Sequence, residues 1–262
     1  MPAIVVIPAR YGASRFPGKP LTLIAGKPMI QHVYENARRA ARVHGAYVAT
    51  DDQRISSVVQ AFGGNAVMTS AAHQSGTDRI AEAVKRISES GVPIGPNDVI
   101  VNVQGDEPLM QPAMIDQVIA LMDDSNAAIG TLAKPIDDAA SIYNPNIVKA
   151  VIARNGYALY FSRAPVPYHR DLFASGERGL SETVVRNVRM LRHVGIYAYR
   201  RAALEVFSLF DPSPLEAIEK LEQLRALENG LPIKVGITDI DTIGVDTPED
   251  LERVELWLST SS

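Results

Sequence analysis

The chain contains no cysteine, which removes disulfides, thiolate metal sites and a cysteine nucleophile at once. No apolar run approaches the ~18 residues that a membrane span requires, so no membrane insertion is expected. Positive charge is not in surplus either: 26 Lys and Arg against 30 Asp and Glu leave a net charge of −4. Broad nucleic-acid binding needs a basic surface, and no nucleic-acid partner is expected. The opening run Met1-Pro2-Ala3-Ile4-Val5-Val6-Ile7 is too short for a secretory signal and lacks a basic lead-in. A cytoplasmic location is the expectation. What is present is ordinary for a globular enzyme: 46% hydrophobic and 21% charged residues over 262 positions, within reach of one large α/β unit.

The β-branched run Ala3–Ile7 reads as a strand buried on both faces, stopped by Pro8. A loop with Gly12, Pro17, Gly18 and Pro20 follows. Pro28 is placed for the first turn of a helix carrying Met29, Ile30, Val33 and Ala37. Ala46–Thr50 reads as a strand, with Asp51 or Asp52 capping a helix that ends at Gly63-Gly64. A short strand near Ala66–Met68 comes next, then a polar loop and a helix opened by Thr77 or Asp78. Val99–Val103 is the next buried strand, with Pro112 starting a helix behind it. This alternation predicts an α/β fold with a mostly parallel, doubly wound sheet, whose ligands bind at the carboxyl ends of the strands.

The middle of the chain breaks that rhythm. Asn155-Gly156 between Val148–Ala153 and Tyr157–Ser162 signals a β-hairpin, and His193–Tyr199 reads as a further strand. The expectation is a single domain over 1–262 with a small hairpin-containing subdomain inserted at about 135–200, serving sugar binding or dimerisation. Ser213-Pro214-Leu215-Glu216 is a capping box opening a helix to about Glu228, and Thr247-Pro248 opens the last helix.

The loop after the first strand carries the strongest functional signal. Arg10, Arg15 and Lys19 sit among Gly12 and Gly18. Backbone N–H groups freed by glycine cradle phosphate oxygens; arginine adds bidentate recognition and lysine a point charge. Two familiar phosphate loops do not fit. Five residues separate Gly12 from Gly18, and Pro20 stands where a P-loop hydroxyl belongs. A dinucleotide turn needs G-x-G-x-x-G opening a helix, and only Gly12 and Gly18 are available. The plainer alternative is a pair of turn glycines among solvated cations.

The stretch Arg10-Tyr11-Gly12-Ala13-Ser14-Arg15-Phe16-Pro17-Gly18-Lys19-Pro20 resembles the signature loop of the 3-deoxy-manno-octulosonate (Kdo) cytidylyltransferases. Four further stretches match the same family: His73 to Arg79, Val101 to Pro108, Arg192 to Tyr197 and Gly244 to Leu251. The resemblance spans essentially the whole chain and implies a nucleotide-diphospho-sugar transferase-like fold and a homodimer. It departs locally at Thr69-Ser70-Ala71-Ala72, where many relatives are more charged. It implies that CTP is held by Pro8, Ala9, Arg10, Gly12, Ser14, Arg15 and Lys19, by Gln74, Ser75 and Gly76, and by Asp106. Kdo would meet Arg79, Gln104, Arg163, His193, Tyr197, Glu216 and Gln223. Each of these has a plainer reading: His193 and Tyr197 as half-buried strand residues, Glu216 as a helix cap.

Asp106 follows a buried strand, and Asp246 follows a short apolar segment and precedes a helix. Magnesium takes few protein carboxylates and completes its shell with phosphate oxygens and waters. The resemblance makes Asp106 and Asp246 its expected ligands, and Arg10, Arg15, Lys19, Asp106 and Asp246 the catalytic set. The reaction implied is attack of the Kdo anomeric hydroxyl on the α-phosphate of CTP, giving CMP-Kdo for lipopolysaccharide synthesis. A CMP-sialic acid synthetase would perform the same chemistry on another 2-keto acid sugar. A nucleotide-sugar glycosyltransferase usually shows a D-x-D motif, whereas Asp106 is followed by Glu107-Pro108. A silent nucleotide-binding regulator would be signalled by loss of Asp106 or Lys19.

Overall fold

In the computed structural model, which describes residues 3–12, 16–73, 75–170, 185 and 189–260, the chain divides into two compact units. The first comprises Met1–Ala120, Ile196–Ser208 and Asp241–Ser262; the second comprises Leu121–Gly195 and Leu209–Ile240.

The first unit opens with β1 (Ala3–Ala9), a short ribbon of β2 (Leu23–Ile24) and β3 (Lys27–Pro28), and α1 (Met29–Arg39). It continues through β4 (Val43–Thr50), α2 (Gln53–Ala61), β5 (Ala66–Met68), α3 (Gly76–Glu89), β6 (Val99–Asn102) and α4 (Pro112–Leu121). β1 runs parallel to β4 on one side and to β6 on the other, with Val5 opposite both Ala46 and Val101. β5 extends the parallel set beyond β4. Ala3, Val5, Val6 and Ile7 are fully buried, the reason for an uninterrupted apolar run; each such valine or isoleucine contributes about 2 kcal/mol. α1 packs on β4 and α3 on β1, through the helical stripes Met29, Ile30, Val33, Ala37 and Ile80, Ala83, Val84, Ile87.

The last residues of β10 (Leu191–Arg200) belong to this unit and run antiparallel to β6, with Tyr197 opposite Asn102. α6 (Arg201–Phe207) and α9 (Pro248–Thr260) complete it. Because β1, β4, β5 and β6 point the same way, the loops leaving their carboxyl ends gather at one sheet edge. Those loops contain Arg10, Lys19, Asp51, Ser70 to His73, Ser75, and Gln104 to Asp106.

The second unit holds β7 (Ile129–Pro135), α5 (Ala139–Tyr143), β8 (Lys149–Ile152), β9 (Ala158–Ser162), the start of β10, α7 (Pro214–Glu219), α8 (Gln223–Glu228) and β11 (Ile233–Ile237). β11 and β7 are parallel, while β8 is antiparallel to β9 and to β10. Asn155-Gly156 makes the expected hairpin, with Gly156 N–H donating to Ala153 O at 2.9 Å.

Three local expectations are revised. α3 begins one turn-residue earlier than Thr77, because the Ser75 side chain accepts the Asp78 N–H and so caps the helix. Pro28 precedes α1 instead of sitting inside its first turn. The helix expected from Pro214 to Glu228 is two: Lys220 takes a left-handed conformation at φ 55° and ends α7, and α8 starts at Gln223. The break has a polar consequence. It turns the carbonyls of Glu219 and Lys220 toward the Arg163 guanidinium, which donates to them at 2.7 and 3.4 Å.

A cleft built on Lys19, Asp106 and Asp246

At the carboxyl edge of the parallel strands in the first unit lies a cleft of about 320 Å³. Its first wall is the loop after β1. Gly18 sits at φ 74°, a conformation that a side chain disfavours, and its N–H donates to Tyr11 O at 2.8 Å. A Cβ on Gly18 would lie 3.1 Å from the Tyr11 ring. That ring is itself covered by the Arg54 guanidinium at 3.3 Å, so it is held over the turn. The turn delivers Lys19 to the cleft from a short 3-10 helix, Lys19–Leu21.

Lys19 is 8% exposed, and a buried ammonium requires partners. It has three: Nζ donates to Asp106 Oδ2 at 2.7 Å, to Val245 O at 2.6 Å and to Asp246 Oδ1 at 3.3 Å. The two carboxylates expected to act together are therefore gathered on one cation. Pro8, Ala9 and an exposed Arg10 line the same cleft. Gly12 is exposed and is not part of that lining. Ser14, Arg15 and Gln74 lie outside the described residues.

The opposite wall is the start of α3. Ser75 and Gly76 line the cleft, where the first N–H groups of a helix attract anions. Arg79 lines it too, but its guanidinium is engaged, donating to Thr69 Oγ1 at 2.6 Å and to Asp51 Oδ2 at 3.0 Å. Gln104 lines the floor and donates to Asn102 Oδ1 at 2.8 Å. Sequence reasoning left His73, Phe16 and Pro20 out of the binding set, although all three line the cleft. His73 had a signal, being the first residue of a matched stretch. Its Nε2 is hydrogen-bonded to Glu82 Oε2. Burial opposes ionisation of Glu82, yet hydrogen bonds from Ser70 N–H, His73 and Arg86 bring its pKa down to about 2.

Comparison with known proteins decides what this cleft belongs to. The cytidylyltransferase family model matches residues 4–239. The 3-deoxy-manno-octulosonate cytidylyltransferase of Thermodesulfovibrio yellowstonii is 52% identical over 262 residues, covering 100% of both chains. That of Geobacter metallireducens is 50% identical over 262 residues, covering 99% of this chain and 98% of the relative. The chain belongs to the 3-deoxy-manno-octulosonate cytidylyltransferase family. A solved structure of CMP:2-keto-3-deoxy-manno-octonic acid synthetase complexed with CTP is also similar. It has a TM-score of 0.86 and 43% identity, and the match covers 100% of both chains.

The remaining residues singled out in this cytidylyltransferase are not among those that line the cleft. In the first unit, half-buried Tyr197 stacks on Tyr199 at 6.0 Å between ring centroids. In the second unit, His193 Nε2 shares a 2.8 Å hydrogen bond with Thr131 Oγ1, and Phe161 packs edge-on against its ring. Burial pushes its pKa down to about 4, so its imidazole is neutral near pH 7. Arg163 donates to Pro145 O at 2.8 Å as well as to the carbonyls that end α7. Glu216 completes its half of the capping box, accepting Ser213 N–H at 3.1 Å, and also accepts two hydrogen bonds from Arg225 at 2.7 and 2.6 Å. Burial opposes its charge, but the Arg225 and Ser213 donors hold its carboxyl below the usual range. Gln223 is buried at the start of α8. It stands beyond the Lys220 break, so Glu216 and Gln223 do not share one continuous helix face.

Proposed function

We propose that this cytidylyltransferase transfers CMP from CTP to the anomeric hydroxyl of 3-deoxy-D-manno-octulosonate, supplying CMP-Kdo for lipopolysaccharide synthesis. The observation that carries the reading is the convergence of Asp106 and Asp246 on Lys19 at the edge of a cleft flanked by the α3 N-terminus. The anomeric oxygen forms a bond to the α-phosphorus, and the bond from that phosphorus to the bridging oxygen breaks. Pyrophosphate leaves with the electron pair, and the hydroxyl proton passes to solvent. Such chemistry rests on positioning and on charge stabilisation rather than on a protein nucleophile. Arg10 and Lys19 hold the triphosphate and offset charge on the departing pyrophosphate, and the N–H groups of Ser75 and Gly76 add anion-binding dipoles.

The donor set suits magnesium. Among the described residues no group of three or more His, Cys, Asp or Glu is gathered to hold a metal, whereas two carboxylates already converge on one cation. Magnesium takes one or two carboxylates together with substrate phosphates and waters, and Asp106 and Asp246 are the residues that would hold it. When bound, it would neutralise phosphate charge and lower the pKa of the sugar hydroxyl.

On the acceptor side, Arg79, Gln104 and Tyr197 in the first unit and Arg163, His193, Glu216 and Gln223 in the second are the candidates. For several of them, capping and ion pairing account for the observed contacts. A homodimer that uses the hairpin region of the 135–200 subdomain, and a cytoplasmic location, belong to the same reading. No helix among the described residues is long and apolar enough to cross a membrane. The deciding experiment measures pyrophosphate release with each nucleoside triphosphate against Kdo and sialic acid. Turnover with CTP and Kdo is expected, and preference for sialic acid or for another nucleotide would overturn the reading.

A further inference from the structure

The segment 238–247 that carries Asp246 contains no helix or strand, so no backbone ladder sets where its carboxylate stands. Its path depends on side-chain and single backbone contacts. Thr242 Oγ1 donates to Glu107 Oε2 at 2.6 Å. Val245 N–H donates to the backbone O of Asp106 at 2.8 Å. Between them Gly244 passes so close that a Cβ would lie 2.9 Å from Glu107 Oε1. Below, Val245 is fully buried in an apolar cluster with Leu109 and Met29. Glu107 is itself rigidly placed: its N–H donates to Gln104 O at 3.1 Å, and its carbonyl accepts Met110 N–H at 3.0 Å. Its side chain is not part of the cleft lining.

We propose that Glu107 and Thr242 are positioning residues, a clip that fixes the separation of the Asp106 and Asp246 carboxylates and so tunes the affinity of the divalent-cation site. The turn bearing Asp106 and the loop bearing Asp246 are joined by this clip on one side and by Lys19 on the other. Magnesium demands near-ideal octahedral geometry at short distances, so a small drift of one carboxylate costs affinity. Partners that orient metal ligands typically account for 10–100-fold in affinity. The inference rests on the magnesium reading above.

The test measures Mn²⁺ binding by electron paramagnetic resonance on the full chain with CTP present, for the wild type, Thr242→Val, Thr242→Ala and Thr242→Ser. Valine and alanine should each weaken Mn²⁺ binding about 10-fold, and serine, which keeps the hydroxyl, should restore it. The melting temperature should change little across the series. In kinetics, Thr242→Val should raise the Mg²⁺ requirement while kcat at saturating Mg²⁺ recovers. Equal Mn²⁺ affinity in Thr242→Val and wild type would overturn the clip alone, as would a serine variant as weak as valine. If the wild type bound no Mn²⁺, the magnesium reading would fail and the clip with it.

Discussion

Lys19 Nζ lies 2.7 Å from Asp106 Oδ2, across 87 positions of sequence, in an ion pair whose lysine side chain is only 10% exposed. A buried ammonium bound to two carboxylates and a carbonyl cannot be removed without leaving those acceptors unmatched. It also lines the cleft in which we propose the triphosphate is bound. Lys19→Met should therefore lower kcat as well as kcat/KM for CTP, by about 10²-fold or more, as expected for a group that acts on charge developing in the transition state. A change confined to KM would show that Lys19 supplies only uniform binding.

The paired carboxylates give the second prediction. Asp106→Asn and Asp246→Asn keep the shape but lose the charge, and each should cut turnover by at least about 10²-fold while the fold persists by circular dichroism. Chelation of divalent ions should silence the wild type and added Mg²⁺ should restore it. Full turnover of either variant at limiting Mg²⁺ would remove that residue from the cation site.

His193 carries a pH signature. Its pKa is about 4 in the folded protein, against an ordinary value of about 6.5 in the unfolded chain. The unfolded state therefore takes up the proton first as pH falls. The stability lost between about pH 6.5 and pH 4 is on the order of 2–3 kcal/mol, with no further loss from this group below pH 4. Melting curves across that window should fall more steeply for the wild type than for His193→Gln. Parallel curves would remove His193 as the cause. If His193 also touches the acceptor, His193→Ala should raise KM for Kdo and leave KM for CTP unchanged.

Glu82 works in the same direction, in a more acidic window. With a folded pKa of about 2 and an ordinary carboxylate value near 4.3 when unfolded, its stabilising contribution is complete above that value. It is lost as pH falls toward 2, by about 1–2 kcal/mol after allowance for solvent screening. Glu82→Gln should flatten that acid limb. Because Glu82 holds the Ser70 N–H at 2.8 Å and the cleft residue His73, the same variant should raise KM for CTP several-fold with little change in kcat. An unchanged KM would show that this wall of the cleft is set by other contacts.

Much of the architecture was legible because its causes are local. The apolar run of β1, the Asp52 cap of α2, the Asn155-Gly156 hairpin and the Pro112 start of α4 follow from side-chain shape and backbone preference within a few residues. The cluster of cations before Pro20 was plain in the sequence as well, and the structure places Arg10 and Lys19 of it in the cleft lining. Ser75 was missed as the cap of α3 because Thr77 and Asp78 are equally good cap residues in isolation, and only the path of the preceding chain selects among them. The continuous helix expected through Lys220 is interrupted where the Glu219 and Lys220 carbonyls meet the Arg163 guanidinium, a partner 56 and 57 positions away that no local pattern reveals.

The sequence by itself determined the element order, the parallel strands and the residue types of a nucleotidyltransferase loop, since each depends on neighbours along the chain. The tertiary structure alone decided that Lys19, Asp106 and Asp246 meet, although 87 and 227 positions separate the lysine from its two partners. It alone placed Thr242 against Glu107 and gave Arg79 to Asp51 and Thr69. These pairings depend on which strand edges lie side by side once the apolar runs are buried. A buried charge then takes whichever partner that packing brings within hydrogen-bond reach.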